Sequence, residues 1–279
     1  MIAVLIPTRN GAAQLPPLLA ALERQSVPQD RIAIDTSSHD GTRELLQRHR
    51  FRVTGIEPQE FGHGRTRQRL VEQASSEFVV FFSQDAQPQG DDFLERLIAP
   101  LHADPRLVGV CARVLPRVDD DPLTARSVLA AAENSALALE GNAAAAAFHN
   151  VAAAYRRSAL LRTPFPDLAF GEDQAWARAR VSAGESVRLE PAAVVRHSHR
   201  YGLREAYQRF RIDAEFHRTQ RGVRVRPDLW SVLRGLAYEL RADWRFPQSS
   251  PGGLARAPLL RAAQIWGQYR GSRGKLGAG

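Results

Sequence analysis

Residues 78–82, Phe-Val-Val-Phe-Phe, are apolar at every position and run across one serine into Gln84-Asp85. A strand with one wet face alternates polar and apolar residues, whereas a strand with none has both faces covered. Such a strand belongs inside a sheet flanked by helices on both sides. IAVLI (2–6) carries the same signature, and RIAID (31–35) carries it at its three middle positions. Between these runs Leu15, Leu18, Leu19 and Leu22 fall at helical spacing. A second helix is expected near Asp40, with Asp40 as its N-cap and Gly41 and Thr42 shaping the turn. FRVTGI and a further helical stretch then lead to FVVFF. Strand and helix alternating at this rhythm predict an α/β fold, a mixed and mainly parallel sheet sandwiched by helices. Right-handed crossovers line up the strand C-termini along one edge, where open α/β sheets bind ligands.

The 279 residues carry a net charge of +8, unevenly placed. From Arg200 onward, 16 basic residues face 6 acidic ones, so this tail holds +10 and residues 1–199 hold −2. The sheet region is thus close to neutral, and no nucleic-acid partner is expected for it. The one cysteine, Cys111 in LVGVCARV, excludes a disulfide framework and reads as a core residue. MIAVLIPTRN lacks a basic leader and no apolar run reaches about 18 residues, so a cytoplasmic protein is expected, or one held only at a membrane surface. Residues 119–148 turn Ala-rich and are expected to form a loop, a helix and a small-residue segment, either covering the site or packing as a plain helix. From Tyr201 the pattern is helical only, which predicts a catalytic domain over 1–205 and a basic helical extension over 206–279.

Chemistry-bearing residues cluster at the expected strand ends. Asp35 closes the second strand, where a carboxylate can accept hydrogen bonds from a ribose or a base. A dinucleotide dehydrogenase would place an acid there too. It would also need a GxGxxG turn after the first strand, and PTRNGAAQL offers one glycine. Asp85, at the end of a buried strand, is costly unless it meets a cation or donors, and a divalent metal gripping a diphosphate would satisfy it. Glu172 and Asp173 follow Gly171 at the head of a helix, as caps or as a general base. His197 and His199 in RHSHRYG would point to one face if they lay on a strand, as metal or phosphate ligands require. In EFGHGRTRQR, glycines around His63 precede Arg65, Arg67 and Arg69. Alternate arginines face different sides of a helix, and Arg65 is the one selected for a phosphate.

In order, VLIPTRN, IDTSSHDGT, FGHGRTR, FFSQDA, GEDQAWA and RHSH resemble the family-two inverting nucleotide-sugar glycosyltransferases, and within them the rhamnosyltransferase-like branch, over roughly residues 1–205. The resemblance implies a GT-A fold and transfer of a sugar, rhamnose for this branch, from a nucleotide-diphosphate donor to a glycan or lipid-linked acceptor. It implies that Pro7, Thr8, Arg9, Asp35, Arg65, Gln84 and Asp85 contact the donor. Asp85, with His197 or His199, would hold magnesium or manganese. Asp173 would be the acceptor base, with Glu172 beside it. Many members carry two or three acids where this chain has Gln84-Asp85-Ala86.

In the tail, Trp230, Leu233, Ala237, Leu240 and Trp244 recur at steps of three and four beside Arg234, Arg241 and Arg245. This stripe fits an anionic membrane surface, packing on the catalytic domain, or a homodimer. A nucleotidyltransferase, or a non-catalytic nucleotide-binding module, would share the sheet. The former usually carries a lysine in a Gly-rich N-terminal signature, and the only lysine here is Lys275.

Overall fold

The runs identified by their unbroken apolar character become strands, and alternate residues of one strand enter different cores. The computed structural model of the chain describes residues 1–136, 139–248 and 250–277, with the side chains of 135 and 136 left aside. β1 (Ile2–Thr8), α1 (Pro16–Glu23), β2 (Gln29–Thr36), α2 (Thr42–Arg48), β3 (Arg52–Ile56), α3 (His63–Gln73) and β4 (Phe78–Phe82) come first. β5 (Gln87–Pro88), α4 (Phe93–Ala103), β6 (Leu107–Leu115), α5 (Pro122–Ala136), α6 (Gly141–Ala147) and β7 (Ala152–Arg156) follow. Then come α7 (Arg157–Arg162), α8 (Glu172–Ser182), β8 (Ser186–Arg196), α9 (Leu203–Arg221), α10 (Leu229–Arg245) and α11 (Pro251–Gly271). The Ala-rich stretch thus forms α5 and α6, with residues 137 and 138 lying outside the described set.

The sheet runs β3-β2-β1-β4-β7-β6-β8-β5. β1 is parallel to β2 and β4, β2 to β3, and β6 to β8. β7 runs antiparallel to both β4 and β6, and β5 to β8. The reversal at β7 matters for the site. Phe82 at the end of β4 stands opposite Ala152 at the start of β7, and Leu115 at the end of β6 stands opposite Arg196 at the end of β8. One rim therefore collects the C-termini of β1, β2, β4, β6 and β8 together with the segment entering β7.

Helices cover both faces of the sheet. Ile2, Val4 and Ile6 of β1, with Val80 and Phe82 of β4, pack against Leu18 and Leu22 of α1 and Leu94 and Leu97 of α4. Ala3 and Leu5, with Val79 and Phe81, pack on the opposite face against Leu70 and Val71 of α3 and Trp176 of α8. The period-two split of a wholly apolar strand is what makes it useful in the middle layer. Each large aliphatic residue so buried contributes about 1.5–3 kcal/mol.

The chain divides into two compact units. The first is Met1–Leu115 with Ala131–His197, and the second is Pro116–Ala130 with Ser198–Gly279. The boundary drawn from the sequence at 205/206 falls inside α9. Within the second unit α9 and α11 meet at backbone distance. A Cβ on Gly267 would come within 2.4 Å of the Tyr207 carbonyl oxygen, and one on Gly271 within 2.1 Å of that of Arg211. Leu123, Ala206, Ala257 and Leu260 form its small apolar cluster. Among the described residues no helix is long and apolar enough to cross a membrane.

Candidate active site

The rim begins with Asp35, which is fully buried near the end of β2. A buried carboxylate needs donors, and this one accepts from Thr8 Oγ1 at 3.1 Å, the Ser38 backbone N–H at 3.0 Å and Ser38 Oγ at 2.6 Å. Thr8 ends β1, Pro7 lies half-buried just inside it, and Arg9 is exposed just beyond. The loop after β1 is laced to the loop after β2 by Asn10 N–H to Ser38 Oγ (2.7 Å) and Gly11 N–H to Thr42 Oγ1 (2.8 Å). Asp40 does not occupy the N-cap position. Gly41 does, at φ 87°, and Asp40 accepts from Thr42 one residue further out while also accepting from Ala12 N–H at 3.0 Å. The αL geometry needed at this turn favours glycine over aspartate.

Gln84 braces the same loop from β4. Its Oε1 accepts from Arg9 N–H at 3.0 Å, and its Nε2 donates to the Arg9 carbonyl at 3.2 Å and to Gln14 Oε1 at 2.7 Å. Next to it, Asp85 is buried and its Oδ1 lies 3.2 Å from His197 Nε2. β8 ends at Arg196, so His197 and His199 follow the strand and the same-face argument from strand spacing does not apply to them. His197 is tied back by its N–H to the Leu115 carbonyl (2.9 Å) and belongs to the first unit, whereas His199 lies two residues on, in the second.

Sequence reasoning missed His149, in the turn entering β7. Burial, and then neighbouring His197, push its imidazole down to about 4, so it is neutral near pH 7. Its Nδ1 is buried with no hydrogen-bond partner among the described residues. Cys111, next to it on β6, is an ordinary core thiol, raised to about 12 by burial.

Asn150, also missed, organises the pair at the head of α8. Its backbone N–H donates to Asp173 Oδ2 at 2.8 Å and its Nδ2 to Glu172 Oε1 at 3.2 Å, while its Oδ1 accepts from Tyr155 Oη at 2.6 Å. Asp173 Oδ1 accepts from Gln174 N–H at 2.8 Å. Glu172 is paired with Arg67 at 2.8 Å, the two side chains 5% and 10% exposed. Of the three arginines on α3, Arg67 is therefore the one that turns inward. Arg65 is exposed, 3.7 Å from Asp167, and Arg69 pairs with Glu60. Removal from water, then the charge of Glu172, raise the Asp173 carboxyl from its ordinary 3.8 to about 7, with Arg67 and the two backbone amides pulling the other way. A short link joins this acid to the rest of the rim. Asn150 precedes Val151, whose carbonyl accepts from Ser83 N–H at 3.0 Å, two residues from Asp85. Asp35, Asp85 and Asp173 thus sit along one edge of the sheet.

Residues 3–162 match the family model described as glycosyl transferase family 2, a span that stops short of Glu172 and Asp173. The chain is 33% identical over 227 residues to the O-antigen chain rhamnosyltransferase WbaN of Salmonella anatum, covering 77% of this chain and 71% of that one. It is also 33% identical over 231 residues to RfbN of Salmonella typhimurium, covering 77% and 72%. Among solved structures, the mannosyltransferase PcManGT from Pyrobaculum calidifontis, in complex with GDP-Man and Mn2+, superposes with a TM-score of 0.61 at 21% identity, over 95% of this chain and 69% of that one. TarS 1–349 of S. aureus gives 0.53 at 19% identity, over 96% and 89%. These two establish the fold, a GT-A arrangement. With the family model spanning more than half of its length and two curated rhamnosyltransferases at this identity, the chain belongs to glycosyl transferase family 2 and is a nucleotide-sugar glycosyltransferase.

Proposed function

We propose that the enzyme transfers rhamnose from a nucleoside-diphosphate donor to a hydroxyl of a glycan or lipid-linked acceptor, with inversion and by one displacement. The observation that carries this reading is the Asp173 carboxylate, oriented by two backbone N–H groups and titrating about where a base must work near neutral pH. The acceptor oxygen attacks the anomeric carbon as the bond from that carbon to the diphosphate oxygen breaks, and the acceptor proton passes to Asp173. A single displacement inverts the anomeric centre. Glu172, engaged by Arg67 and Asn150, holds the site in shape and is not the base. The choice of sugar rests on similarity to the two O-antigen rhamnosyltransferases.

Asp35 and the loop of Pro7, Thr8 and Arg9 would receive the nucleoside. Gln84 braces that loop, and Arg65 is a surface cation able to swing toward a phosphate. Asp85 and His197, both in the first compact unit, would hold a divalent cation. The fit rests on Asp85 and His197, a carboxylate and an imidazole 3.2 Å apart and largely out of water, and the unpartnered Nδ1 of His149 is a further polar group left for a ligand. Imidazole donors favour manganese over magnesium. When bound, the cation neutralises charge on the leaving diphosphate. Asp173→Asn is expected to abolish transfer while donor binding, measured by calorimetry, stays nearly intact. A fully active Asn variant removes Asp173 from the mechanism. A thermal-shift panel of nucleotide sugars with and without manganese identifies the donor.

A further inference from the structure

α10 displays its apolar stripe to the outside. Trp230, Leu233 and Trp244 are 65%, 60% and 74% exposed, and Ala237 lies exposed between them. Leu240 departs from the stripe and packs beside Leu123 and Leu260. Steps of three and four residues return to one face, so the exposed members make a line about 21 Å long from Trp230 to Trp244. Arg234, Arg241 and Arg245 are exposed along the same side, with Tyr238 at its margin.

The two acids within α10 are turned away from this face. Asp243 is fully buried between Arg126 and Arg261, and Glu239 is paired with Arg126. The outward surface is thus aromatic and cationic, with no carboxylate of its own helix to balance it. Exposed apolar surface of this extent marks a docking face. Indole rings favour the boundary between water and hydrocarbon, and arginines beside them favour anionic headgroups.

We propose that α10 is an interfacial helix that lies flat on an anionic lipid surface. Trp230, Leu233 and Trp244 enter the headgroup layer, and Arg234, Arg241 and Arg245 pair with lipid phosphates. A second copy of the chain is a poorer occupant. A two-fold contact would set one arginine row against another with both acids already engaged internally. A polyphosphate strand would satisfy the arginines but leave Leu233 and Ala237 without a partner. The proposal rests on α10 alone and stands or falls independently of the assignment of Asp173.

The test is flotation of the full chain with vesicles of phosphatidylglycerol mixed into phosphatidylcholine, against phosphatidylcholine alone. The native chain is expected to float with the anionic vesicles and to be released by salt. Trp230→Ser with Trp244→Ser, both at exposed positions, is expected to lower partitioning at least about tenfold. Arg234→Glu, Arg241→Glu and Arg245→Glu together are expected to abolish the preference for anionic over neutral vesicles. An unchanged melting temperature shows that each variant is folded. Equal flotation of native and variant chains overturns the proposal. So does a dimer, seen by light scattering, that the tryptophan variant dissociates, or displacement from vesicles by an oligonucleotide that binds the same face more tightly.

Discussion

Two buried groups of acids and arginines, one in each compact unit, differ in how their charges balance. In the second unit Asp243 accepts from Arg126 and, through both oxygens, from Arg261, while Glu239 holds Arg126. Arg261 also donates to Ser127 Oγ, Gln264 Oε1 and the Leu123 carbonyl. Two cations meet two anions, and the geometry is bidentate. In the first unit Arg67 faces both Glu172 and Asp173, is bonded to Glu172, and leaves Asp173 held by backbone amides. The balanced group is a fastening of the fold. The unbalanced one leaves a carboxyl whose proton is loosely assigned near neutral pH, the property that general-base chemistry needs.

The largest effect expected from this contrast is on stability. Asp243→Ala leaves two arginines of the second unit buried without their shared acid, and breaking a buried pair by removing one partner costs about 3–5 kcal/mol. Denaturant titration of the full chain should show that loss. The pH profile of transfer by whatever folded protein remains should not move, because the Asp173 titration is set by its own burial, Glu172, Arg67 and the Asn150 and Gln174 amides. A loss below about 1 kcal/mol would mean that the cluster is not a fastening.

Part of this contrast was legible in the sequence and part was not, for physical reasons. FVVFF, IAVLI and RIAID announce a doubly covered sheet because period two requires no polar face there, and the rim position of Asp35 and Asp85 follows from where those runs end. Glu172 and Asp173 stand out because a glycine and two acids open a helix. The inward turn of Arg67 was not legible. It depends on the rotation of α3 about its axis, set where Gly64 packs so closely on the Pro166 carbonyl that a Cβ would lie 2.2 Å from it. His149 and Asn150 follow an alanine run with no spacing signal, and their meaning comes from neighbours on β6 and α8 and from His197 just past β8. Arg126 and Asp243 are 117 residues apart, so no local pattern joins them. The stripe on α10 was visible as a stripe, but exposure is a property of the folded chain.

Charge substitutions around Asp173 should move the pH profile in opposite directions. The proposed base must be ionised, so kcat/KM is expected to fall as pH drops through the Asp173 titration. Glu172 raises that titration, and Glu172→Gln removes the repulsion, so the acidic limb should shift to lower pH. Arg67 lowers it, and Arg67→Met should shift the limb to higher pH, each by about one unit. The double variant should return toward the native profile. A merely structural role for the pair predicts lower rates with an unmoved limb, and that outcome would dissolve the distinction between the two clusters.

The last effect is again on stability, and its sign is the opposite of that expected for Asp243. Because the folded-state titration of Asp173 lies near 7, above its ordinary 3.8, the folded chain holds this proton more tightly than the unfolded chain does. Below about 3.8 both states are protonated and the group contributes nothing. As pH rises the unfolded state loses its proton first, so stability is lost progressively and the penalty is complete above about 7. Asp173→Asn is uncharged throughout. It should melt together with the native chain near pH 4, then increasingly above it as pH rises, with the gap constant above neutrality. The same series on Asp243→Asn should give the opposite result, a lower melting temperature at neutral pH, since there the charge is matched by Arg126 and Arg261. If both asparagine variants destabilise alike at pH 8, the Asp173 carboxylate is as well compensated as that of Asp243, and its selection as the base loses its electrostatic ground.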